Sequence, residues 1–113
     1  MDNNEIEKAT LHHIGEIVGY EPNSVKAKTL IKKPTGNISV LAIDEGAGIR
    51  GEMLPFETFF LLLEGHAEII IDEKSNQLNA FRGIVIPPHS SYVLSAIAPA
   101  KMLSVTIKSG YEE

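Results

Sequence analysis

Phe59-Phe60-Leu61-Leu62-Leu63-Glu64-Gly65-His66-Ala67-Glu68-Ile69-Ile70-Ile71 is the stretch on which the fold turns. Two short apolar runs, Phe59 to Leu63 and Ile69 to Ile71, stand on either side of a Glu-Gly turn signal. Runs of this length, bounded by turn chemistry, read as strands. Their apolar residues are consecutive rather than alternating, so both faces of each strand present hydrophobic surface. Covering the second face is worth about 25 cal/mol per Å² of apolar area. Either a second copy, giving a homodimer, or the chain's own residues 11–31 should lie on it.

Working outward, the same rhythm continues in both directions. Strands are expected at Val25 to Ile31, Asn37 to Ile43, Phe56 to Leu63, His66 to Ile71, Gln77 to Ala80, Ile84 to Ile86, Tyr92 to Ala96 and Met102 to Ile107. Turn chemistry separates them at Pro34-Thr35-Gly36, Glu45 to Gly48, Glu64-Gly65, Asp72 to Asn76, Pro87-Pro88 and Ala98-Pro99. Seven or eight strands without intervening amphipathic helices predict an all-β antiparallel barrel or sandwich, since parallel strands would need crossover helices. Glu21-Pro22-Asn23-Ser24 reads as the turn before it. Ahead of that turn, Met1 to about Thr10 reads as a loose polar tail, and Leu11, Ile14, Ile17 and Val18 as one helical turn or an arm. The division is a tail and arm over 1–24 and a barrel over 25–113.

Bulk properties narrow the functions. With 113 residues there is room for one core. The net charge of -5, with Lys32-Lys33 the only adjacent basic pair, gives no phosphate-tracking surface, so no nucleic-acid partner is expected. The chain has no cysteine, which removes disulfides, thiolate metal sites and thiol nucleophiles. Its acidic, polar start lacks the basic end and apolar stretch of a secretory signal. The run Phe59 to Leu63 is too short to cross a bilayer. A soluble cytoplasmic protein with no membrane partner is the expectation.

The segments Gly46 to Gly65 and Ile84 to Tyr92 resemble the two motifs of the cupin superfamily, in particular its small single-domain conserved-barrel type. The first motif runs glycine, five residues, His-x-His, three or four residues, Glu, six residues, glycine; it falls on Gly46, Glu52, Leu54, Thr58 and Gly65. The second runs glycine, five residues, Pro-x-Gly, two residues, His, three residues, Asn; it falls on Phe81, Pro87, His89, Tyr92 and Ala96. The resemblance covers roughly residues 25–108 and implies a double-stranded β-helix, or jelly roll, with a ligand pocket in its mouth and frequent homodimers. In that family the metal is held by two His and one Glu of the first motif and one His of the second. The corresponding residues here are Glu52, Leu54, Thr58 and Tyr92, so the turn-shaping glycines and proline are kept while the ligand set is not.

Leucine carries no donor, threonine and a neutral phenol are poor ligands, and one carboxylate holds hard cations weakly. No metal and no cofactor are therefore expected. The candidate ligand pocket consists of Glu52, Leu54, Thr58, Tyr92 and His89, with Phe59 nearby. Within it Glu52 and Tyr92 are expected side by side in an apolar cavity, where desolvation would raise the carboxyl's proton affinity and fit it for acid–base work. The two could equally do no more than satisfy each other's hydrogen bonds.

His89 could swing inward as a ligand or base. His66 reads as a hairpin residue, and the adjacent pair His12-His13 cannot share a helix face as metal ligands at i, i+4 do. Slipping the first motif by one residue brings in Glu57 but moves the histidine positions onto Gly51 and Met53. Arg50 and Arg82 could meet an anion at the mouth. No Ser-His-Asp set or phosphate loop is visible.

Three readings follow. The first is a small-molecule-binding or regulatory barrel that needs no metal and catalyses nothing. The second is a metal-independent isomerase or epimerase using Glu52 as base and Tyr92 as acid. The third is a divergent metal site built from Glu52, His89 and water.

Overall fold

The structure, a computed structural model, describes residues 5–110. Its strands are β1 (Val25–Lys33), β2 (Gly36–Ile43), β3 (Gly48–Gly51), β4 (Glu57–Ile71), β5 (Lys74–Leu78), β6 (Gly83–Ile86) and β7 (Tyr92–Ile107). Every strand pair is antiparallel.

β4 and β7 hold the molecule together. They run side by side from Glu57 opposite Ile107 to Ile71 opposite Tyr92. The first half of β4 and the second half of β7 belong to one half-sheet, in the order β1-β2-β7-β4-β6. Their other halves belong to a second, in the order β3-β7-β4-β5. Between the halves the ladder is broken by register shifts from Leu62 to Ala67, opposite Ala98-Pro99. Gly65 sits at this corner with φ +91°, its α-carbon against the Pro99 carbonyl. Only glycine adopts that conformation cheaply, and Pro99 has no N–H to offer a ladder there. The sheet folds over at this point into a jelly-roll sandwich.

The corner also explains the consecutive apolar residues. Before it Thr58, Phe60 and Leu62 are buried; after it Ala67 and Ile69 are. The inward parity changes because a one-residue slip exchanges the faces of a strand. The inward residues of both half-sheets form one core, including Leu41, Ile43, Phe60, Leu62, Ile69, Leu94 and Met102. The Phe60 and Tyr92 rings meet across it edge to face, with centroids 5.5 Å apart.

The second face of the larger half-sheet is covered in part by the chain itself. Val40 and Ala42 point away from the core yet are fully buried. The N-terminal arm is tied down here. The Lys101 ammonium donates to the Gly15 carbonyl at 2.6 Å and lies over the Tyr20 ring, while the Tyr20 hydroxyl donates to Glu64 at 2.7 Å.

Several expectations are corrected. The pairs Phe56 to Leu63 with His66 to Ile71, and Tyr92 to Ala96 with Met102 to Ile107, are two long strands bent at a corner, not four strands. His66 lies within β4 rather than in a hairpin, its ring against the Asn79 and Gln77 amides. Gly48, expected as the end of the Glu45 to Gly48 turn, instead opens a strand, Gly48–Gly51, where none is expected. The break expected from Asp72 to Asn76 shrinks to a two-residue loop, Asp72-Glu73, with both residues at positive φ as type I′ geometry requires. Residues 5–10 are not a loose tail: Glu5 bridges to Thr29 and accepts a hydrogen bond from the Lys32 N–H. The first four residues of that expected tail lie outside the described residues. Leu11 to Val18 is an arm containing a single 3-10 turn, Ile14–Glu16. The Glu21-Pro22-Asn23-Ser24 turn forms, closed by the Ser24 N–H on the Glu21 carbonyl.

Candidate functional site

The end of the sandwich opposite the corner is its mouth. There β4 begins at Glu57 and ends at Ile71, and β7 begins at Tyr92 and ends at Ile107. The loops 52–56 and 87–91 cross this end and are zipped together. The Met53 N–H donates to the Ser90 carbonyl at 3.2 Å, and the His89 N–H to the Leu54 carbonyl at 2.6 Å.

Strand register identifies what faces inward. Phe60 is opposite Ser104, Ser104 opposite Ser39, and Ser39 opposite Thr29. One row nearer the mouth, Ile86 is opposite Thr58, Thr58 opposite Thr106, and Thr106 opposite Asn37. Residues paired across strands share a face, so both rows lie on the core side with Phe60. Deeper in, the corresponding row is Leu62, Met102 and Leu41. The inner face therefore passes from purely apolar to hydroxyl and amide toward the mouth. Thr58 is buried, and its hydroxyl is 3.2 Å from that of Thr106. On the facing half-sheet the Tyr92 ring lies flat against Gly51, where a side chain would collide with it. Burial pushes the Tyr92 phenol above its ordinary value, so it is a neutral hydroxyl at physiological pH.

The five residues singled out from sequence divide by position. Thr58 and Tyr92 are inside the mouth; Glu52, Leu54 and His89 are exposed on its rim loops. The expectation that Glu52 shares an apolar cavity with Tyr92 is corrected. The Glu52 side chain is 72% exposed and its carboxylate is 3.7 Å from the Arg50 guanidinium. It follows Gly51 out of the last turn of β3, so it leaves the sheet where Tyr92 enters. Arg50, considered for an anion, thus faces an acidic neighbour. Phe59 is on the outer face, in register with Val85 and Val105. His12 is hydrogen bonded to the Glu7 carbonyl and His13 is paired with Glu16.

These positions do not fit the metal that the resemblance implies. Glu52 turns outward, Leu54 has no donor, and Thr58 and the neutral Tyr92 phenol are weak ligands. Among the described residues no group of three or more His, Cys, Asp or Glu side chains converges. What sequence reasoning missed is the polar set Asn37, Ser39, Ser104 and Thr106. Their signal was present: each is a hydrogen-bonding residue at inward parity in an otherwise apolar strand.

Where the resemblance assigns glycine, the backbone is left-handed. Gly46 and Gly65 have φ +84° and +91°, and Phe81 and His89, which replace glycine in the second motif, have φ +67° and +68°. A non-glycine residue in this region is held at a cost of roughly 1–2 kcal/mol.

No family model matches the chain, and no curated protein matches it. Solved structures do. A conserved protein of unknown function from Streptococcus pyogenes is 29% identical, with 94% of this chain and 93% of that one covered at a TM-score of 0.86. A cupin superfamily protein from Desulfitobacterium hafniense is 21% identical, with 94% and 96% covered at 0.82. A cupin 2 conserved barrel domain protein from Leptotrichia buccalis is 17% identical; 91% of this chain covers half of that one, at 0.87. In the strand order, the corner and the mouth, as in these structural likenesses, the chain has the cupin fold, in its small single-domain form.

Proposed function

We propose that this chain is a cytoplasmic small-molecule-binding protein that holds a neutral, hydrogen-bonding ligand in the barrel mouth without a metal ion and without catalysing a reaction on it. The observation that carries the reading is the pair of inner rows at the mouth. They offer hydroxyl and amide groups from Asn37, Ser39, Thr58, Ser104 and Thr106, facing Tyr92. Hydroxyls donate and accept, and amides do both. A charged ligand would meet no counter-charge there and would lose its hydration uncompensated. A neutral polyol, sugar or amide would exchange water for these groups without that penalty.

The test is an amide-NMR titration with three probe sets: neutral monosaccharides and polyols, small carboxylates, and phosphates. Neutral hydroxylated probes should shift the resonances of Ser39, Thr58, Ser104 and Thr106. Thr58→Val and Ser104→Ala should weaken that response while leaving the fold intact. Binding by anions alone would overturn the reading. So would near-stoichiometric iron, zinc, nickel or manganese by elemental analysis of protein purified without chelator or affinity tag.

A further inference from the structure

At the end of the sandwich away from the mouth, the arm and the corner form a cleft of about 550 Å³. His12, His13 and Glu16 of the arm make one wall. Leu63 and Glu64 of β4, with Phe81 of the loop after β5, make the other. None of these residues belongs to the site at the mouth.

The polar side chains of this cleft are hydrogen-bond acceptors. The Glu7 carbonyl can only accept, so His12 Nε2, at 2.9 Å from it, carries the proton, and the neutral ring keeps Nδ1 as its acceptor. The Glu16 carboxylate accepts from His13 Nδ1 at 2.9 Å, which leaves Nε2 as the acceptor of that ring. Glu64 takes the Tyr20 hydroxyl through one of its two oxygens. Among the described residues no lysine or arginine lines the cleft. The Lys101 ammonium nearby is engaged by the Gly15 carbonyl and the Tyr20 ring.

Phe81 supplies an independent observation. Its ring is 77% exposed although its backbone is left-handed, with φ +67°. A ring that buries so little gives folding almost no return for that strain, and strain of this kind gathers at functional sites. We propose that the cleft binds a small primary amine carried on a short apolar or aromatic body. An ammonium group has three donors and no acceptor, the complement of these walls. Its charge meets the carboxylates of Glu16 and Glu64, and the face of an aromatic ring such as Phe81 attracts it further. The apolar body rests on Leu63 and Phe81. A carboxylate or phosphate would be repelled by the same walls.

Amide-NMR titration of the full chain with benzylamine, benzyl alcohol, benzoate and tetramethylammonium tests this. Benzylamine should shift the resonances of Gly15, Glu16, Leu63, Glu64 and Phe81. Benzyl alcohol and benzoate share its ring but lack the ammonium, and tetramethylammonium is a cation without donors; each should bind at least several-fold more weakly. Phe81→Gly should keep or raise the melting temperature and bind benzylamine about two- to fivefold more weakly. Glu16→Gln should also weaken binding, while Thr58→Val at the mouth should leave it unchanged. Equal binding of benzyl alcohol would reduce the cleft to an apolar surface and overturn the proposal. So would equal binding of tetramethylammonium, no response to benzylamine at millimolar concentration, shifts confined to Ser39, Thr58 and Ser104, or wild-type affinity in a folded Phe81→Gly or Glu16→Gln protein.

Discussion

Replacing Gly65 by alanine should be among the most damaging single-methyl additions this chain can receive. Two separable effects act at the corner. First, φ +91° is a conformation that an L side chain occupies at a penalty of roughly 1–2 kcal/mol. Second, a β-carbon there would overlap the Pro99 carbonyl oxygen and stand 2.8 Å from the Ala100 α-carbon, both backbone atoms that cannot rotate away. Overpacking of that kind adds about 1–3 kcal/mol. Alanine stiffens the unfolded chain and returns about 0.4–1 kcal/mol. The net loss is about 1–5 kcal/mol, centred near 3, against a stability of about 5–15 kcal/mol for a domain of this class.

Gly46 and Gly48 separate the two effects. Gly46 has φ +84° but open space around its α-carbon, so Gly46→Ala reports the backbone penalty alone and should lose no more than about 1.5 kcal/mol. Gly48 has an ordinary backbone, but a β-carbon there would strike the Leu94 carbonyl, so Gly48→Ala reports collision alone. Urea unfolding of the three variants, with slopes checked for equality, gives the ranking. If Gly65→Ala lies within error of Gly46→Ala, the corner is not closely packed and the account of how the sheet folds over is wrong.

Phe81→Gly should be neutral to stabilising by up to about 1 kcal/mol in thermal unfolding, because it relieves the left-handed strain of a side chain that is 77% exposed and buries little; clear destabilisation would show an unrecognised contact. Phe60→Ala should cost about 3–5 kcal/mol in urea unfolding, since the ring is buried at the junction of both half-sheets and against Tyr92. Tyr92 and Tyr20 are both raised above the ordinary phenol value, Tyr92 by burial and Tyr20 by burial and then its hydrogen bond to Glu64. Their contribution is therefore complete below about pH 10, the unfolded-state value, and is lost as pH rises toward the folded ones. Stability should fall on the alkaline side, less steeply in Tyr92→Phe, and a flat profile through that range would contradict the burial. Tyr20→Phe removes the bond to Glu64 and should expose the arm to limited proteolysis before the barrel melts; equal protease resistance would show the arm held by other contacts.

The fold was legible because turn residues and β-rich runs in this chain coincide closely with strand limits. β2 and β6 were each placed within one residue of their limits. The misplaced elements share a physical cause. Gly65 and Pro99 carry the same local chemistry whether a chain reverses or only bends, so two bent strands read as four. Gly48–Gly51 has too few side chains to show strand propensity, and is fixed instead by its ladder to Tyr92–Ser95. The site was less legible. Thr58 and Tyr92 lie on strands, where parity carries their direction, and both are inside. Glu52, Leu54 and His89 lie on loops, where direction depends on contacts such as Glu52 with Arg50 that spacing does not encode. Ser39, Ser104 and Thr106 were passed over because a single hydroxyl in a strand is unremarkable until cross-strand pairing gathers several into rows.

That β4 and β7 each run through both half-sheets has a consequence for how the chain assembles. Neither layer owns a complete set of strands, so neither can melt or form while the other persists. Native-state hydrogen exchange should then show one protection class spanning Phe60, Leu62, Ile69, Leu94 and Met102, with the arm exchanging earlier. Closing the β4–β7 ladder also brings together residues up to fifty positions apart, Glu57 with Ile107 at the extreme. Refolding should be slow for the chain's size, in the millisecond-to-second range of all-β domains, with its principal barrier at the meeting of these two strands.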